Sequence, residues 1–93
     1  MPAAEHQDTG SDGAASLALR ALGWVLADPA RAQRFLDLTG LTPDGLRAGL
    51  AQPATQAAVL DFLAAHEPDL AAAADALGTD AARLIAARQE LAA

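Results

Sequence analysis

Three groups of residues have the types and spacing that chemistry could use. The first is His66-Glu67-Pro68-Asp69. It begins like the helix of a zinc protease, where two histidines four residues apart bind the metal and a glutamate acts as base. Position 70 is Leu70, so the second ligand is missing, and Pro68 breaks the helix that such a site needs. His66 is read instead as a helix-end histidine that meets the last carbonyls. Glu67 and Asp69 are read as solvated acids of the following first turn. The second group is a nucleophile with a base: Ser11, Ser16, His66 and several aspartates are present. Nothing in their spacing links them, and Gly-x-Ser-x-Gly is absent. The third is His6 with Glu5 and Asp8, metal-ligand types in a polar segment that reads as a solvated tail. No glycine-rich turn follows a strand signal, so there is no phosphate loop or dinucleotide fingerprint. The expectation is a protein that is not an enzyme, with no catalytic residue, no cofactor and no metal.

Charge narrows the partners. Twelve acidic residues face six basic ones, all arginine, for a formal charge of −6. An acidic chain is poorly suited to general phosphate-backbone binding, although a local basic patch could still serve. The chain contains no cysteine, which removes disulfides, thiolate catalysis and cysteine-ligated metals. No signal peptide and no apolar run of membrane-span length is visible, so the expected compartment is cytoplasmic, with no membrane partner.

The elements are marked by their punctuation. Residues 1–13 read as a flexible tail and residues 14–93 as a single helical domain. A helix is expected over Ala14 to Ala27, started by Ser11 or Asp12, with Leu19, Leu22 and Leu26 on one inner face and Leu17, Trp24 and Val25 widening it. Gly23 in its middle is costly unless another helix crosses closely there. Asp28-Pro29 opens a second helix with Ala32, Phe35, Leu36 and Thr39 inward and Arg31, Arg34 and Asp37 outward. The run Phe35 to Leu50 then specifies a corner. Gly40 stops one helix, with Leu36 and Leu41 placed for a Schellman contact. Thr42-Pro43 starts the next, with Leu41 and Leu46 placed as a hydrophobic staple. A short helix over 42–51, a helix from Pro53 to about His66 with Val59, Leu60, Phe62 and Leu63 as core, and one from Asp69 to Leu77 follow. Gly78 ends that one. Thr79-Asp80 then caps a last helix with Leu84, Ile85 and Leu91 inward and with Arg83 and Arg88 towards its C-terminal half. Leu38–Thr42 faintly echoes Ala76–Asp80. The fold expected is all-α: a compact bundle of five or six short helices with tight turns.

Two functional readings fit such a bundle. The first is a protein-interaction module, binding an unidentified protein partner or itself, with Trp24, Arg31, Arg34 and Arg47 as its candidate interaction residues. The alternative is a helix-turn-helix-like DNA-binding protein that uses helix 42–51. Only Arg47 there is a good base or phosphate reader, and Asp44 would repel phosphates. Nucleic acid is therefore the less favoured partner.

From about Ala18 to Leu91 the chain also resembles a known family. The segments LGWVLADPARAQRFLDLTGL, TPDGLRAGLAQPA, AAVLDFLAAHEPDL and ALG are similar to those of the DUF3572 family, a group of short bacterial proteins. The resemblance implies a small, cytoplasmic, all-helical protein. It implies no activity, cofactor or catalytic residue.

Overall fold

The computed structural model describes residues 9–93, with side chains from Gly13 onward. Its helices are α1 (Thr9–Leu26), α2 (Pro29–Thr39), α3 (Pro43–Ala48), α4 (Pro53–Ala64), α5 (Glu67–Ala76) and α6 (Ala81–Ala92). The all-α bundle is as expected, and the described residues contain no strand. Of the expected tail, residues 1–8 lie outside the described residues, and with them His6 and its neighbours. Ser11 and Asp12 are helical, so neither starts α1. Acidic and hydroxyl residues are tolerated inside a first turn as well as before it, so they do not fix a boundary alone.

α4 is the central helix. Gln56, Ala57, Val59, Leu60, Phe62 and Leu63 are all buried, which leaves little of it to face water. α1 and α6 pack most extensively against it and against each other. The buried stripe of α1 is Ala14, Leu17, Ala18, Ala21, Leu22 and Val25, at helical three- and four-residue spacing. Leu19 and Leu26 were expected inward with Leu22 but are 40% and 43% exposed. The alanines explain the difference. The buried face keeps Leu17, Leu22 and Val25 and adds three alanines, whose small side chains suit dense packing between helices, so turning Leu19 and Leu26 out gives up little apolar burial.

Gly23 has no such role. It is exposed, and a side chain placed there would meet nothing within 4 Å. It therefore only weakens the helix. Gly23→Ala should stabilise the protein by roughly 0.5–1 kcal/mol, seen as a thermal midpoint raised by a few degrees. A lowered midpoint would mean that another element packs on that face.

The corners follow the sequence punctuation closely. The Asp28 carboxylate accepts from the Arg31 N–H at 2.8 Å and Pro29 follows as the first helical residue. Thr42 Oγ1 accepts from the Gly45 N–H at 3.0 Å ahead of Pro43. Asp80 caps α6 through the Arg83 N–H at 2.8 Å. Leu41 is half-buried and Leu46 buried, both against the main core, as a staple at this corner requires.

One stop differs from expectation. At Gly40 (φ 75°) the glycine N–H donates to the Leu36 carbonyl at 2.9 Å. The Leu41 N–H turns to Thr39 Oγ1 at 3.3 Å. That is the single-bond left-handed stop and not the Schellman pair. The hydroxyl of Thr39 captures the N–H that the Schellman motif would send back to Leu36. The Schellman pair occurs at the other corner, where the Gly78 N–H reaches Asp75 and the Thr79 N–H reaches Ala74, at 3.2 and 2.9 Å. The two similar sequence corners therefore close by different hydrogen bonds.

Sequence reading also passed over Gln56. It is buried, and its Nε2 donates to the Leu50 carbonyl at 2.8 Å, tying α4 to the loop after α3. A buried amide with a partner of this kind fixes a chain path that apolar packing alone would leave loose.

Candidate functional site

The four residues singled out from the sequence are held in three separate sets of contacts. Trp24 and Arg31 meet at the α1–α2 corner. Trp24 is half-buried, and the Arg31 guanidinium lies 3.5 Å from its ring centroid while donating to the Trp24 carbonyl. Arg31 was expected to point outward. It is half-buried instead, because stacking on the indole and capping the end of α1 hold it in place. The tryptophan is thus a covered corner and offers no bare aromatic face.

Arg34 sits elsewhere, between α2 and α5. It pairs with Asp69, and His66 Nδ1 is 3.1 Å from the same carboxylate oxygen. The guanidinium also stands 5.2 Å from the Phe62 ring centroid. The Asp69 side chain is only 16% exposed, so it is not the solvated acid expected, and His66 faces Asp69 and not the last carbonyls of α4. α5 starts at Glu67, earlier than expected. Pro68 falls in its first turn, and this brings Asp69 round towards α2. His66 and Asp69 are therefore adjacent, but Ser16 lies apart from them, on a hollow between α1 and the α5–α6 turn. Among the described residues no group of three or more acidic or histidine side chains is arranged to hold a metal ion.

Arg47 borders an apolar concavity. α1, α2 and α3 form a groove of about 320 Å³, walled by Leu22, Leu26, Leu36, Leu46 and Leu50. Pro43 completes the wall, and Arg47 is the one charged residue on it. The groove exists because α3 has fewer than two turns and cannot cover the side of α1 beyond Leu22. Arg47 pairs with Asp44 at 2.7 Å along α3, with both side chains strongly exposed. The apolar spacing of Leu22, Leu26, Leu46 and Leu50 was visible in the sequence. That these leucines leave a groove unfilled was not.

A family model described as a protein of unknown function (DUF3572) matches residues 11–93. The chain belongs to the DUF3572 family. No curated protein and no solved structure matches it. The match covers all but the first two residues of the helices of this DUF3572 protein, and it includes the corner and groove residues.

The other arginines are also placed by tertiary contacts. Arg88 pairs with Asp61 on α4, and Arg20 donates to the Leu77 carbonyl at 2.8 Å, capping the end of α5. Arg83 was expected towards the C-terminal half of α6, but it lies in the first turn, where its N–H meets Asp80. No helix of the described chain is long and apolar enough to cross a membrane.

Proposed function

We propose that this DUF3572 protein is a non-catalytic, cytoplasmic interaction module whose groove between α1, α2 and α3 receives the apolar face of a partner protein's helix. The observation that carries this reading is the groove itself: five leucines and a proline around an open hollow, with Leu26 43% exposed. A metabolite site of similar size would need several converging polar groups to orient its ligand. Here only Arg47 is charged. At about 320 Å³ the hollow is too small for a folded partner and suits a few apolar side chains, such as leucines one turn apart on an amphipathic helix. Arg47 on the rim favours an acidic residue beside them. Its pairing with Asp44 is exposed and weak, so it yields to a partner's carboxylate at little cost.

The DNA-binding alternative has less support. α3 is only Pro43–Ala48, and Asp44 sits in its first turn, where its carboxylate would repel phosphates. Leu46, which a reading helix would keep inward, is buried as expected, but Pro43 and Arg47 border the apolar groove and not a basic surface.

The test is a titration with a labelled amphipathic peptide carrying leucines one turn apart and a flanking glutamate, followed by anisotropy. Leu26→Asp should weaken binding at least roughly tenfold, with a thermal midpoint lowered only modestly because the side chain is already 43% exposed. Unchanged affinity in Leu26→Asp would sink the groove assignment. Binding to duplex DNA that falls steeply with salt and with Arg47→Ala would replace it with the nucleic-acid reading. If the occupant is a second copy, Leu26→Asp should abolish a concentration-dependent dimer.

A further inference from the structure

The arginines of this acidic chain divide into two sets. Arg34, Arg47 and Arg88 each contact an aspartate directly, and Arg31 is spent on Trp24 and the end of α1. Arg20 and Arg83 differ. Among the described residues Arg20 contacts only a carbonyl, and Arg83 reaches Glu90 only at 3.9 Å, the outer limit of an ion pair. These two border the same hollow of about 340 Å³, between α1 and the α5–α6 turn, with Ser16, Gly78 and Thr79 beside them. No described carboxylate lines it. Asp80, next in the chain, is turned to its own helix as the cap of α6.

Arg83 is seated against α1 beside Gly13. A side chain at Gly13 would come within 3.3 Å of Arg83 Nη2. Glycine inside a helix is costly, and at position 13 its missing side chain leaves room for this guanidinium to lie against α1. Gly13 thus differs from Gly23, which meets nothing. Two guanidiniums with N–H groups that take no hydrogen bond to a described side chain, flanked by two hydroxyls and a glycine turn, match the donors that bind an oxyanion through several charge-assisted hydrogen bonds.

We infer that this hollow is a binding site for a small phosphate-class oxyanion, held by Arg20 and Arg83 with Ser16 and Thr79 as hydroxyl donors. Arg20 is anchored at the Leu77 carbonyl by one nitrogen, which fixes its position and leaves its other donors for the anion. The site is separate from the leucine groove, and neither reading depends on the other.

The probe is inorganic phosphate, titrated into the labelled full chain at constant ionic strength and followed by amide resonances, with acetate as a parallel titrant. Phosphate should shift Gly13, Ser16, Gly78 and Thr79 along a saturating curve, and acetate should bind more weakly, because phosphate carries more charge and more acceptor oxygens. Arg83→Gln should weaken phosphate binding roughly tenfold. Arg88→Gln, the same charge change on the Asp61 pair, should bind phosphate like the parent. Arg20→Gln removes the cap on α5 as well, so Arg83→Gln decides the matter if that variant fails to fold. Shifts that grow linearly without saturating, that match those from chloride, or that fall equally in Arg88→Gln would overturn the site in favour of general screening. Tighter binding of acetate than of phosphate would overturn the phosphate assignment.

Discussion

Phe35→Ala should destabilise the protein by about 3–5 kcal/mol and lower its thermal midpoint by at least about 12 °C. Phe35 is the only buried residue of α2, and it is fully buried. Its ring meets Phe62 of α4 edge to face, with centroids 5.4 Å apart. The substitution removes that contact and opens a cavity between two helices that have few other buried links. A domain of this size has roughly 5–15 kcal/mol of total stability, so the loss is a large part of it. The effect should be local first. α1, α4 and α6 hold one another through the most extensive contacts of the fold, whereas α2 touches the rest through fewer residues. Trp24 gives an independent readout, since Arg31 on α2 stacks against it. Its fluorescence should change at a lower temperature than the helical signal does. Phe35→Leu should cost far less, because an apolar side chain of similar volume refills most of the space. A midpoint within a few degrees of the parent for Phe35→Ala would mean that α2 does not dock on α4 through this residue.

Gly40→Val should cost roughly 1–2 kcal/mol for a reason that has nothing to do with space. No atom lies within 4 Å of where the side chain would begin, so there is no clash to relieve. The penalty comes from φ 75°, a left-handed backbone that a β-branched residue resists most. The loss should appear in chemical denaturation as a lower midpoint with an unchanged slope. Gly40→Asn should recover much of it, since asparagine tolerates this conformation. If valine and asparagine behaved alike, the backbone at Gly40 would not be left-handed. Because α3 follows directly and forms one wall of the leucine groove, Gly40→Val should also weaken the proposed peptide binding, as Leu26→Asp should.

Much of this fold was legible because helix ends are local. Asp28, Thr42 and Asp80 cap within three residues of themselves, and proline and glycine act on their own backbone angles, so the sequence nearby carries the information. The core of α4 was legible for a related reason, since a run as apolar as Val59, Leu60, Phe62 and Leu63 has nowhere to go but inside. The choice of hydrogen bonds at Gly40 and Gly78 was less so. It turned on the Thr39 hydroxyl, which takes the Leu41 N–H, whereas Leu77 at the matching position of the other corner has no hydroxyl to offer.

By itself, then, the sequence determined the helices, their order and most of their boundaries, and through its segments the DUF3572 membership. Only the tertiary structure decided what α1 buries and what it leaves bare. Leu17, Leu22 and Val25 took the inner face together with the alanines at positions 14, 18 and 21, and Leu19 and Leu26 stayed partly outside, because α4 and α6 meet α1 on that side. The same step decided the candidate sites. Leu26 became the rim of a groove because α3 is too short to cover it. Arg20 and Arg83, far apart in the chain, came to share one hollow because α6 folds back along α1. Periodicity shows which residues share a face of one helix, and it carries no information about which other helix will meet that face.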